Sequence, residues 1–582
     1  MDKYNWSLEK IYKNIQDARL DIKKCDEIIE KINLEPKTID NLKNIIELHS
    51  DLSRLVEKLF CYSYMKRDED SRVSEFQKLA LDVDSLSTRV SSCLSFFEPF
   101  LMSLSSSDLD TFYEKNDNKK YKKYFDEILR FKEHTLSKSE ENILASLSSA
   151  MSSGQNTFYM LSYADMNYGI VESRNGEKIL ASNYNNFLLD KNETVRKEAF
   201  EKFNGKFKEF KNTYASTLYS TIKNLTTVAK IKKYPSARYM ELFKESINET
   251  VYDLLILSVE KYLPSLHKYY ALRKKALKKD KQYMWDVYLN INEDFNKTYS
   301  YEEAKDIILK ALKPLGDDYV SEIKKGFENR WIDVYPREGK AAGAYSWGCF
   351  DTDPYILMNF TGDLHSIFTL AHELGHSMHS FYARNNNEYI YSSYKMFVAE
   401  VASTFNELVL LDYLLKNAQN KEEKIYILNY YINMFITTVF RQTMFAEFEK
   451  TTHSEVEKNN SLTAQDFTKI SKELNDKYYG QNVEANELAD YVWARIPHFY
   501  TNFYVYRYAT SFCAASFLSR EVLNKKDMAL EKYRAFLKDG CKTKPIEQLK
   551  NAGFDMEDKN AIDKALEVFK DLVDKLEFEI GK

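Results

Sequence analysis

Three histidines crowd into "LAHELGHSMHSFY", residues 370–382, at positions 372, 376 and 379, and an acid, Glu373, follows the first. On a helix, His372 and His376 stand one turn above each other, about 6 Å apart along the axis, and present two imidazoles on nearly one face. Two imidazoles so placed can meet at one metal ion. Glu373 lies about 100° round the helix, where a carboxylate reaches a metal-bound water without ligating the metal. This H-E-x-x-H spacing is the arrangement of zinc hydrolases. The competing reading is a solvent-facing helix that happens to be rich in histidine.

A catalytic zinc site needs a third protein ligand and an open position for water. The metzincin extension does not supply it, because position 379 is His rather than Gly and position 382 is Tyr rather than His. His365 and His379 lie seven residues either side of His372, but neither has a Glu placed to act on water. His365 reads as solvated or hydrogen-bonded, and His379 as a group behind the ligands or facing substrate. Downstream, "YKMFVAEVASTFNELVLLDYLLK" at 394–416 carries Glu400 and Glu407, seven apart and so on similar faces of a helix. Helical geometry does not separate them. Glu400 sits in the apolar "FVAEVAS", where an unpaired carboxylate is costly to bury; Glu407 reads as an ordinary polar position.

Further along, "HFYTNFYVYRY" at 498–508 holds one His and four Tyr. An aromatic stripe in the core is the simple explanation. Four phenols and an imidazole on one helix are hard to satisfy in a dry core, however. Tyr504 and Tyr508 share a helical face, whereas Tyr506 points about 200° from Tyr504.

The elements that must hold these groups are mostly helices. Only 15 Gly and 9 Pro punctuate the chain, and apolar residues recur at helical spacing through most of it. The exception is 342–360, "AGAYSWGCFDTDPYILMNF", where β-prone runs flank the turn "DTDP", so a short hairpin is expected. Thr361 is the expected cap of a helix that runs through Ser380 and stops near the asparagines at 385–387. A second helix is expected over 394–416. The polar "DKNETVRKEAF" sets a domain boundary near residue 200, between an N-terminal helical domain, 1–200, and a catalytic domain, 201–582.

Composition narrows the function classes. The chain has 582 residues, a net charge of -5 and a pI near 6.1, so nucleic acid is not expected as a partner. The start is polar rather than basic followed by apolar, no long uncharged apolar run offers a membrane span, and no signal peptide is read. Six cysteines (25, 61, 93, 349, 513 and 541) are scattered without close pairing, which suits free thiols in a reducing cytoplasm.

Several stretches together resemble the thimet oligopeptidase and oligoendopeptidase F group of zinc metallopeptidases, and its oligoendopeptidase F branch in particular. They are "GAYSWGCFDTDPYILMNFTG" at 343–362, "TLAHELGHSMHS" at 369–380, "VAEVAST" at 398–404, "RIPHFYTNFYVYRYATS" at 495–511 and "LKDGCKTKPIEQLKNAGFDM" at 537–556. The resemblance implies one zinc ion held by His372, His376 and Glu400, with Glu373 as general base. Glu400 lies 24 residues after His376, within the family's ligand range. It also implies a mainly α, clam-like fold with a deep channel covered by the N-terminal domain, and a hairpin beside the zinc helix that offers its edge to an extended peptide. His498, Tyr504 and Tyr508 are then expected to face the zinc as oxyanion and substrate donors. The implied activity is zinc-dependent cleavage of internal bonds in short oligopeptides.

Two alternatives stand beside it. A zinc exopeptidase of the dipeptidase or carboxypeptidase type needs a cation for the substrate carboxylate; the aminopeptidase string G-x-M-E-N is absent. A non-catalytic peptide-binding protein ordinarily lacks a ligand or the Glu, and here His372, Glu373, His376 and Glu400 are all present.

Overall fold

The computed structural model describes residues 3–292 and 297–581. The chain forms two units, each assembled from three stretches: 1–133, 296–410 and 518–553 in the first, and 134–295, 411–517 and 554–582 in the second. The polar stretch before residue 200 opens a helix, Glu193–Glu209, whose first turn is closed by the Asn192 side chain accepting from Thr194 N.

Helices dominate both units, as the sparse Gly and Pro content predicts. In the first unit, the helices Ile15–Leu34, Leu42–Glu69 and Ser74–Leu94 bury one apolar cluster that includes Cys25, Leu59, Met65 and Leu86. Tyr355 and Leu357 join the same cluster, so these helices form a backing for a small sheet.

That sheet contains the expected hairpin and one strand more. β1 (Ile332–Asp333), β2 (Tyr345–Trp347) and β3 (Tyr355–Leu357) run in the order β1-β3-β2. β2 and β3 pair antiparallel with Ser346 opposite Ile356, and β1 adds in parallel to the buried β3. β2 is left at the edge. Lys340, whose side chain is buried, donates from Nζ to the carbonyls of Tyr335 and Met358 and pairs with buried Asp333, which fixes the approach to the hairpin.

Next comes α1 (Leu364–Asn385), which ends at the asparagine run as expected but begins later than Thr361. The chain turns at Gly362, with φ +85°, and Asp363 takes the capping position, accepting from Ser366 N at 2.7 Å. The Thr361 hydroxyl meets Ser366 Oγ instead, at 2.8 Å. A hydroxyl contact between Ser346 on β2 and Ser377 on α1, at 2.8 Å, ties the edge strand to this helix. α2 (Met396–Lys416) matches the second expected helix.

In the second unit, α3 (Arg441–Glu457) follows a π-helical turn at Ile436–Phe440. The segment 498–508 is not one helix. Pro497 opens a 3-10 turn, Pro497–Tyr500, Phe503 adopts a left-handed φ of +55°, and α4 (Tyr506–Leu523) starts only afterwards. Among the described residues no helix is long and apolar enough to cross a membrane.

Candidate active site

α1 brings His372 and His376 together as their spacing requires, with the two Nε2 atoms 3.1 Å apart. Glu400 Oε2, from α2, lies 3.3 Å from the first and 3.5 Å from the second. These three are the group of His, Cys, Asp and Glu side chains able to hold a metal among the described residues. Donors bound tetrahedrally to zinc at about 2.0–2.1 Å stand about 3.3 Å from one another. The triangle of 3.1, 3.3 and 3.5 Å is therefore one face of such a tetrahedron, with two imidazole nitrogens and one carboxylate oxygen as a suitable donor set.

The triangle exists because α1 and α2 cross closely. A Cβ built on Gly375 lies 2.5 Å from both Ala402 O and Ser403 Cα, too near for any side chain there. So the glycine inside the histidine motif sets how near Glu400 can come. Asn406 locks the crossing by donating to Ala371 O at 3.2 Å while accepting from Tyr319 Oη at 3.0 Å. Ser403 Oγ reaches Glu400 Oε2 at 3.1 Å and orients the carboxylate.

Burial would raise the Glu400 carboxyl, but hydrogen bonds from His372 and His376 outweigh it and hold it well below the usual range. Glu373 is buried beside the ligands without such bonds, and burial lifts its carboxyl above the ordinary value although the two histidines partly oppose this. Glu407, read from sequence as an ordinary polar position, instead pairs with Nδ1 of His372. Against burial, which disfavours the charged ring, Glu407 and Glu400 raise the His372 imidazole well above its ordinary value.

The other two histidines separate. His365 is exposed, as expected. His379 is 1% exposed, stacks on Tyr394 at 3.8 Å between ring centroids, and burial depresses its imidazole to about 3. It supports the helix from behind.

This arrangement has counterparts among known proteins. The family model for Peptidase family M3 matches residues 186–568, and that for Oligopeptidase F matches residues 101–168. The chain belongs to Peptidase family M3. It is 39% identical to oligopeptidase PepF of Bacillus subtilis over 98% of this chain and 86% of that protein. It is 36% identical to group B oligopeptidase PepB of Streptococcus agalactiae, covering 100% of this chain and 98% of the other. Among solved structures, oligoendopeptidase-F from Enterococcus faecium is similar at 33% identity and a TM-score of 0.73, with 98% of each chain covered. The mainly helical fold with small sheets is that of the M3 peptidases.

The remaining expected site residues lie in the second unit of this M3 chain, and they gather despite the broken helix. Ring centroids of His498, Tyr504 and Tyr508 are 5.5 to 6.1 Å apart, and Tyr508 Oη is 3.5 Å from His498 Nε2. Tyr506 departs from them, packing at 5.1 Å against Tyr252 in the core, although Tyr504 lies before the helix on which their angle was reckoned. Burial lowers the His498 imidazole, which favours its neutral form. The bend is held by α3. Glu449 accepts from Phe503 N at 2.8 Å, and His453 Nε2 meets Asn502 Oδ1 at 2.9 Å.

Proposed function

We propose that the chain is a zinc-dependent endopeptidase of short peptides, with one zinc ion held by His372, His376 and Glu400. The donor triangle, with its near-tetrahedral edges, is the observation that supports this most. The names oligopeptidase PepF and oligoendopeptidase-F of similar proteins agree with the substrate class.

When bound, the ion acidifies a ligated water and polarises the scissile carbonyl. Glu373 takes the water's proton during attack on the carbonyl carbon and delivers it to the amide nitrogen as the C–N bond breaks, leaving a carboxylate and an amine. A carboxyl raised by burial is a stronger base for this than an exposed one. Glu407 keeps Nδ1 of His372 engaged, so Nε2 stays available as a donor. We assign His498, Tyr504 and Tyr508 as donors to the developing oxyanion and to substrate, a type of contact worth roughly 3 to 4 kcal/mol when one is removed.

The β2 edge can add a peptide strand through backbone hydrogen bonds, largely regardless of side chain. The deep channel implied by the resemblance, covered by the N-terminal helical domain, would then select by size and flexibility. Six free thiols suit a reducing compartment, and we assign the cytoplasm.

The test compares an end-blocked short peptide with the same sequence in a rigid loop of a stable protein. Unfolding the latter costs about 5 to 15 kcal/mol. Internal cleavage of the free peptide alone supports the reading. No cut in the blocked peptide would favour an exopeptidase, and equal rates would sink size selection.

A further inference from the structure

Where β2 ends, a cavity of about 590 Å³ opens within the first unit. Trp347 and Gly348 line it from the strand end, Ser380 and Arg384 from α1, and Glu57 and Phe60 from the helix Leu42–Glu69. The cavity continues the line of the candidate site. Ser380 stands one turn after His376 on α1 and Arg384 two turns after it, about 12 Å along the helix axis. β2 runs beside the same stretch of α1, tied to it by the Ser346–Ser377 contact, and delivers its last residues to the cavity wall. A peptide paired with β2 advances about 3.3 Å per residue, so a chain that continues past the strand end comes level with Arg384 about three to four residues from the bond at the metal.

Arg384 is anchored at this point but not used up. Its Nη2 donates to Gly348 O at 2.7 Å, and a Cβ built on Gly348 would lie 3.0 Å from Nη1 and 2.7 Å from Asp353 O. The missing side chain lets the cation rest on the backbone of the strand end. Among the described residues Gly348 O is the one hydrogen-bond acceptor Arg384 meets, Nη1 has none, and no carboxylate stands within ion-pair distance. Most of the five N–H donors of the guanidinium are thus open to a ligand, and the side chain is half-buried, so the cavity gives access to it. The acid on the cavity wall is engaged elsewhere. Glu57 accepts from Tyr389 Oη at 2.6 Å, and burial lifts its carboxyl above the ordinary value, towards the neutral form. Asp351, just beyond the strand, is held by Arg54 Nε at 3.0 Å.

We propose that Arg384 is a specificity residue that takes a carboxylate of the bound peptide, from an Asp or Glu side chain or from the C-terminus. The planar guanidinium matches a carboxylate in shape and charge as no neutral side chain does. The direction of the peptide separates the two sources. A strand antiparallel to β2 brings residues on the N-terminal side of the cut into the cavity, where the carboxylate must belong to a side chain; a parallel strand brings the C-terminal side, and the chain end with it. The inference rests on the endopeptidase reading and on β2 as the strand that receives substrate.

The test uses peptides blocked at both ends and cut at one bond, with Glu or Gln at each position on either side of that bond, and a matching set with a free C-terminal carboxylate. With the zinc-loaded enzyme, Glu at one position is expected to lower KM about tenfold relative to Gln, or the free terminus relative to the amide. Arg384→Gln should erase that difference, and Glu57→Gln, which removes the neighbouring acid, should enlarge it. Anisotropy titration of the same peptides, labelled, into zinc-loaded Glu373→Gln reads binding without turnover and should rank them alike. A parent enzyme that treats the Glu, Gln and free-terminus peptides alike at every position would overturn the inference. So would equal losses on Glu and Gln peptides in Arg384→Gln with the difference intact, because the residue would then only brace the strand end. Failure to cut any of the peptides would count against the endopeptidase reading instead, and the anisotropy ranking would still decide the role of Arg384.

Discussion

Glu407 on α2 is hydrogen-bonded to Nδ1 of His372 on α1, while Glu400, seven residues earlier on α2, faces Nε2 of the same ring. One imidazole is thus held between two carboxylates with different tasks. Such a carboxylate behind a ligating histidine typically contributes about 10- to 100-fold in metal affinity. Glu407→Gln is therefore expected to weaken zinc binding by roughly that factor, and Glu400→Ala, which removes a ligand, by more. Competition titration against a chromophoric chelator ranks them. Unchanged affinity in Glu407→Gln would reduce Glu407 to a packing residue.

Gly375 is expected to tolerate no side chain. The Cβ of Gly375→Ala meets the α2 backbone at 2.5 Å, and backbone cannot move aside as a flexible side chain can. Overpacking of this kind costs about 1–3 kcal/mol, and separating the helices pulls Glu400 from the histidines. Tm and zinc stoichiometry should fall together. A stable variant with full zinc content would show that the crossing does not set the triangle.

The sequence carries part of this arrangement and hides the rest. The H-E-x-x-H motif is legible because its spacing repeats with the helix, and the hairpin because Asp and Pro mark its turn. Glu407 is not, since a carboxylate seven residues from a ligand looks the same whether it serves the ligand or solvent. The only signal was that spacing. The break at Phe503 was hidden as well: aromatic spacing suits a helix, and nothing local reveals that buried Glu449 captures the Phe503 amide from 54 residues away. β1 leaves no mark in the sequence, because a two-residue strand carries almost no periodicity.

Glu449 leads to a prediction about pH. It is 1% exposed, and burial pushes its carboxyl up to about 8, well above the 4.5 of an exposed glutamate. The folded state then binds a proton that the unfolded state releases. The associated stability is fully present below about pH 4.5 and is lost progressively as pH rises to about 8. Glu449→Gln, permanently neutral, should remove that slope, so its stability relative to the parent rises between pH 5 and pH 8. Urea unfolding at several pH values measures the difference. Parallel profiles for the two proteins would mean that Glu449 is ionised in the fold.

The donor roles proposed for His498, Tyr504 and Tyr508 can be tested kinetically, apart from metal binding. Tyr504→Phe, Tyr508→Phe and His498→Gln should each keep zinc and lower kcat, by up to about 10²–10³ for the residue that meets the oxyanion. A loss confined to KM would assign that residue to substrate binding instead. Unaltered kinetics in all three would remove them from the mechanism.

Glu373 is proposed to move the proton while His372, His376 and Glu400 hold the metal. The most direct test is Glu373→Gln, examined for zinc content and for hydrolysis of one end-blocked peptide in the same preparation. One zinc per chain and turnover reduced to background are expected. Near-normal turnover with zinc in place would contradict it.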